Sequence, residues 1–232
     1  LIRRKVVLFD IDGTLIRSGP IWRDCFFGAL DFPLAPEALG SVAFGGKTDG
    51  QICREVLALA GFDPSEIEHR VPKILERYLA LAEEALPRRV SEIRLLPGAR
   101  ALVERLCAGT DALVGLLTGN VKRGAYLKLG AVGLADPFRF GAFGDDHWER
   151  HRLPEVAVDR AFALSGQRFA GKDIVIIGDT IHDVRCGRGL GVRAIAVGTG
   201  HRVTREELLA ENPDAYLPDL GDTEAALGAI FG

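Results

Sequence analysis

Short apolar runs that each stop at a turn rich in Gly, Asp or Asn constrain this chain more than any other feature. Lys5 to Phe9 (KVVLF) ends at Asp10-Ile11-Asp12-Gly13, and Ala112 to Leu117 (ALVGLL) ends at Thr118-Gly119-Asn120. Phe138 to Phe143 is a weaker third run, Ile174 to Ile177 (IVII) ends at Gly178-Asp179, and Val192 to Val197 (VRAIAV) is a fifth. Runs this apolar do not alternate between a wet and a dry face, so they suit strands covered on both sides. Helical patterns lie between them. In Gly98 to Ala108, Leu102 and Leu106 share a face, and Pro154 to Leu164 and Asp183 to Leu190 suit short helices. The expected class is α/β, with a parallel sheet at its centre.

One stretch breaks the alternation. From Ile16 to Arg94 no strand-like run occurs. Trp22, Phe26 and Ala29 fall on one helical face, as do Ile52, Val56, Leu59 and Ala60. Asp63-Pro64-Ser65-Glu66 reads as a helix start, with Asp63 as cap and Glu66 reaching back. Pro72 is expected to open another helix carrying Ile74, Leu75, Tyr78, Leu79 and Leu86. The block reads as a helical domain over residues 16–94, inserted into a core made of residues 1–15 and 95–232.

Bulk properties narrow the function classes. With 232 residues, 47% of them hydrophobic and 26% charged, the chain suits a globular core with a small companion domain. A net charge of −3 argues against a large nucleic-acid footprint, and no apolar run is long enough to span a bilayer. The basic start before the first apolar run superficially suggests a signal peptide. Asp10 and Asp12 interrupt that run and no small-residue cleavage site follows, so a buried strand of a cytoplasmic protein is expected. Cys25, Cys53, Cys107 and Cys186 lack metal-binding spacing and read as small core residues of a reducing compartment. The chain starts at Leu1 and contains no Met, so at least an initiator residue is expected to be missing.

The turns after the apolar runs carry the chemistry. Ligands of open parallel sheets gather at the carboxyl ends of strands. Two carboxylates one residue apart, Asp10 and Asp12, are costly beside a buried strand unless a cation compensates them. Asp10 is then a candidate nucleophile on phosphorus and Asp12 a candidate proton donor. An acidic turn capping the next segment is the alternative. Thr118-Gly119-Asn120 offers a hydroxyl and backbone N–H groups as a phosphate cradle, or simply a capped strand-to-helix turn. Asp179 and Asp183 supply hard oxygen ligands suited to Mg²⁺, or again an acidic cap; His182 between them reads as incidental. Glu149-Arg150-His151-Arg152 supplies a cation from Arg150 or Arg152, although surface arginines are the default. Phe44-Gly45-Gly46-Lys47-Thr48-Asp49, between two helices of the inserted block, reads either as a loop whose Lys47 dips toward a substrate or as an exposed turn.

Together these elements resemble the haloacid dehalogenase superfamily: LFDIDGTL its first motif, LLTGN its second and IVIIGDTIHDV its fourth. The helical block resembles the family's small α-helical cap, and Leu95-Leu96-Pro97-Gly98-Ala99 the return to the core. The phosphoglycolate phosphatase-like subgroup is the nearest in pattern. The resemblance implies a Rossmann-like core and a Mg²⁺-dependent phosphatase acting on a small phosphorylated metabolite. It implies Asp10 as nucleophile, Asp12 as acid and base, and Thr118 as phosphoryl ligand, with Thr14, Gly119 and Asn120 bordering the phosphate. Asp10, the Asp12 main-chain carbonyl and Asp179 would hold the metal, supported by Asp183. The family's third motif carries Lys before Pro; here that context is missing and the flanking pattern places Arg150 at the Lys position, a planar fork in place of an ammonium. A phosphosugar mutase and a non-catalytic binding protein on the same fold are the alternatives. A dehalogenase is less suited, because the resemblance implies that those enzymes lack the second acidic residue.

Overall fold

A computed structural model describes residues 5–109 and 112–232; the basic start at residues 1–4 lies outside the described residues. In chain order the strands are β1 (Lys5–Phe9), β2 (Ile16–Arg17), β3 (Arg94–Leu95), β4 (Ala112–Leu117), β5 (Gly141–Ala142), β6 (Ile174–Gly178), β7 (Arg193–Val197) and β8 (Ala215–Leu217). Six of them form one parallel sheet in the order β5-β4-β1-β6-β7-β8. Residues Val6 to Phe9 are wholly buried, and they alternate faces. Val7 and Phe9 pack with Leu102 and Leu106 of α5 (Ala99–Gly109) and with Ala125 and Leu129 of α6 (Lys122–Ala131). Val6 and Leu8 pack with Leu153, Ala157 and Ala161 of α7 (Leu153–Ser165). Each such side chain contributes about 1.5–3 kcal/mol by leaving water, which is why the apolar runs become central strands.

The third apolar run is shorter than expected. Only Gly141 and Ala142 pair with β4, at the sheet edge, while Phe138 and Phe143 turn inward as core residues. The helix expected over Asp183 to Leu190 is also displaced. It is α8 (Ile181–Cys186), started early by a Thr180–Asp183 capping box, and a separate 3₁₀ turn follows at Arg188–Leu190.

The helical insertion leaves and rejoins the sheet through the antiparallel pair β2–β3. Its helices are α1 (Ile21–Gly28), α2 (Pro36–Ser41), α3 (Asp49–Leu59) and α4 (Pro64–Arg89). The capping box at Asp63 and Glu66 forms as expected. Pro72 does not start a helix; it lies inside the continuous α4. An interior proline costs about 3 kcal/mol. Burial of Val71, Ile74, Tyr78 and Leu79 on the same helix exceeds that at about 1.5–3 kcal/mol for each large apolar side chain. On α3 the buried face is Ile52, Cys53, Val56 and Leu57; Leu59 and Ala60 are exposed, so the expected stripe is rotated.

The strand order brings three loops together at one end of the sheet. β1 lies between β4 and β6, so the turns after Phe9, Leu117 and Gly178 emerge side by side.

Candidate active site

Asp10 follows β1 directly, its N–H donating to the Ile177 carbonyl at 2.9 Å, and its carboxylate is buried. Gly13 turns the chain back at φ +93°; a Cβ there would stand 2.3 Å from Asp179 Oδ2, so only glycine lets the two turns pack. Thr14 Oγ1 donates to Asp179 Oδ1 at 3.0 Å. Carboxylate oxygens of Asp10, Asp179 and Asp183 all lie within 4.8 Å of one another. Burial pushes Asp10 up to about 7, with Arg150 opposing and the neighbouring Asp183 and Asp12 adding to the rise. Burial and the charges of Asp10 and Asp183 push Asp179 well above the ordinary carboxylate range.

Arg150 answers part of this charge. It sits in the 3₁₀ turn Arg150–Arg152 just before α7, almost fully buried. Its Nη2 donates to Asp10 Oδ1 at 3.0 Å and also to Asp183 Oδ1. Burial disfavours its charge, but Asp183 and Asp10 outweigh that and hold the guanidinium above its ordinary range. Nε is buried without a partner. Arg152 is exposed and lies 3.9 Å from Glu149, away from the cluster. One cation against three buried carboxylates leaves surplus negative charge in an all-oxygen donor set, which fits a hard divalent cation. Asp183 already accepts from Thr180 N–H at 2.9 Å and Thr180 Oγ1 at 2.7 Å, so it is the member least free to coordinate.

Asp12 belongs to a second network. Its Oδ2 accepts from Asn120 Nδ2 at 2.7 Å, and both of its oxygens accept from Lys128 Nζ, at 2.9 and 2.7 Å. Burial raises its pKa, but the Lys128 charge and hydrogen bonds prevail and hold it below the ordinary range. Asn120 Nδ2 also donates to Thr118 Oγ1 at 2.8 Å, and Thr118 is fully buried. Lys128 was not anticipated. The signal was available: on α6 it shares the buried stripe of Gly124, Ala125 and Leu129, where a lone lysine needs a partner.

The loop between α2 and α3 reaches this centre. Gly46 adopts φ +72°, and a Cβ there would come within 2.4 Å of the His182 ring and 2.9 Å of Thr180 Oγ1. Thr48 Oγ1 donates to the Trp148 carbonyl at 2.5 Å. The Gly119 carbonyl accepts from Asp49 N–H at 2.8 Å, and Asp49 Oδ2 accepts from Val121 N–H at 2.9 Å, capping α6. Burial pushes Asp49 up to about 6, against the Lys128 charge and the Val121 N–H. Lys47 lies in this loop, but its ammonium is paired with Glu55 of α3. On the other side Arg123 of α6 pairs with Glu76 and Glu83 of α4, and the Lys128 ammonium lies 4.9 Å from the centroid of the Trp22 ring on α1.

Three clustered carboxylates, a buried cation and a neighbouring polar network thus meet at one end of a Rossmann-like parallel sheet. The haloacid dehalogenase-like hydrolase model matches residues 7–188, and a related model matches residues 154–223. The chain belongs to the haloacid dehalogenase-like hydrolase family. Over 220 residues it is 26% identical to a protein of Xanthomonas campestris named phosphoglycolate phosphatase, covering 92% of this chain and 91% of that one. Over 236 residues it is 28% identical to a Rhodospirillum rubrum protein of the same name, covering 98% and 91%. The crystal structure of a hydrolase from Pseudomonas syringae shares the fold with a TM-score of 0.72, at 21% identity and over 98% and 100% of the two chains. Among the described residues no helix is long and apolar enough to cross a membrane.

Proposed function

We propose that this chain is a Mg²⁺-dependent phosphatase that hydrolyses a small phosphomonoester, phosphoglycolate or a similar metabolite, through a phosphoaspartate at Asp10. The observation that carries this reading is the buried Asp10–Asp179–Asp183 cluster beside Arg150, with Asp12 two residues beyond Asp10 and held by Asn120 and Lys128. The named relatives support the substrate class. Four unpaired cysteines suit a cytoplasmic setting.

In the first step an Asp10 oxygen attacks phosphorus and the bond from phosphorus to the ester oxygen breaks; Asp12, ionised in the free site, takes up a proton from solvent as the substrate adds its negative charge and passes it to the departing oxygen. In the second, Asp12 takes a proton from water as that water attacks phosphorus. The Asp10–phosphorus bond breaks and inorganic phosphate leaves. Arg150 fixes the Asp10 carboxylate and adds positive charge. Thr118, Gly119 and Asn120 line the phosphoryl side, and Thr14 holds Asp179. Asp10, the Asp12 carbonyl and Asp179 would hold Mg²⁺, with Asp183 in support through Arg150. The ion would lower the repulsion between these carboxylates and a dianionic phosphate. Lys47 would meet an anionic substrate tail after exchanging Glu55 for it.

Phosphate release from a panel of small phosphomonoesters, with Mg²⁺ or with chelator, tests the proposal alongside Asp10→Asn. Release that needs Mg²⁺ and disappears in Asp10→Asn is expected. No release from any substrate, or release undiminished in Asp10→Asn, would refute it. Isomerised sugar phosphate in place of free phosphate would mark a mutase.

A further inference from the structure

Lys128 takes no part in the bond changes of the proposed reaction, yet it is among the most constrained cations of the molecule. Its side chain is 5% exposed. An ammonium has three N–H donors, and here three carboxylate or amide oxygens accept: Asp12 Oδ1 at 2.9 Å, Asp12 Oδ2 at 2.7 Å and Asn120 Oδ1 at 2.6 Å. By claiming Asn120 Oδ1, Lys128 also fixes which way that amide faces. Its nitrogen is thereby turned to Asp12 Oδ2 and Thr118 Oγ1, at 2.7 and 2.8 Å. With Lys128 gone, Asn120 Oδ1 loses its partner, and a flipped amide would present oxygen to a carboxylate. The cap closes the arrangement, because the Trp22 ring lies 4.9 Å from the ammonium.

We infer that Lys128 is a positioning residue for the acid–base step: it sets the Asp12 side chain and, through Asn120, ties it to the phosphoryl-binding Thr118. The inference rests on the phosphatase reaction proposed for Asp10 and Asp12. It separates Lys128 from a cation that binds substrate and from one that only stabilises the fold. A misplaced Asp12 harms phosphoenzyme formation most where the leaving oxygen needs a proton.

The test compares kcat/KM for 2-phosphoglycolate, a poor leaving group, and 4-nitrophenyl phosphate, a good one, in the parent, Asp12→Asn, Lys128→Met and Lys128→Arg. For Lys128→Met the alkyl substrate is expected to lose about 100-fold, within the range for a proton-transfer group, and the aryl substrate less than about tenfold. Lys128→Arg keeps charge and bulk and is expected to show the same skew with smaller losses; it is read alone if Lys128→Met does not fold. Equal losses on the two substrates in the variant read would overturn the inference, as would no loss on either. A parent inactive on both substrates, or Asp12→Asn without the skew, would instead overturn the underlying reaction.

Discussion

Removing the buried guanidinium of Arg150 gives the sharpest test of the charge balance at the site. Arg150→Met keeps the stem and deletes the charge that Asp10 and Asp183 share. At 3.0 Å from Asp10 Oδ1, a unit pair is worth about 5–6 kcal/mol at an effective dielectric near 20, and Asp183 makes a second, shorter contact. Desolvation of the guanidinium offsets much of this, so the net cost of breaking the arrangement is about 3–5 kcal/mol. For a chain of this size each kcal/mol moves Tm by roughly 2–4 °C, which gives a drop of about 6–20 °C. Thermal denaturation in chelator at neutral pH measures it. Added Mg²⁺ should then stabilise the variant more than the parent, because more uncompensated charge awaits a cation. A variant melting within about 2 °C of the parent in chelator would show that Arg150 does not balance the cluster.

The same geometry sets further outcomes. In the activity assay, Ca²⁺ should restore chelator-treated enzyme far less than Mg²⁺, because it prefers longer, looser coordination; equal recovery would argue against a compact oxygen site. Lys47→Ala should raise KM for phosphoglycolate and leave 4-nitrophenyl phosphate nearly unchanged, whereas parallel shifts in both would confine Lys47 to its pairing with Glu55. Asp49, with a folded pKa raised from 3.8 to about 6, binds its proton more tightly when folded. Its contribution to stability is therefore greatest below about pH 4 and is lost as pH rises toward 6. Asp49→Asn keeps an acceptor for Val121 N–H and should gain on the parent in urea midpoint across that window; a pH-independent difference would contradict the shift.

Adjacency along the chain explains which parts of the site are legible in the sequence. Asp10 and Asp12 share one turn, and the apolar run before them could only be a buried strand, so their delivery to a sheet edge followed from local pattern. Asp179 and Thr118 followed by the same reasoning. Arg150 and Arg152 did not separate, because both occupy a short polar segment with no periodicity. Only packing turns one into the carboxylate cluster and leaves the other in solvent. Lys47 looked free in sequence and is tied to Glu55, eight residues on, by the geometry of α3.

The sequence by itself determined the α/β class, the helical insertion and the strand-end carboxylates, because those depend on interactions over a few residues and on the burial of apolar runs. The extent of α4 through Pro72, the brevity of β5 and the face that α3 buries depended on tertiary packing, which outweighed local preference by a few kcal/mol. The Lys128–Asn120–Asp12 network was decided by tertiary structure alone. Lys128 and Asp12 are 116 positions apart, and only the placement of β1 beside β4 brings the helix after one against the turn after the other. No local pattern records that meeting, since the energy of a part-buried ion pair depends on where both partners end up.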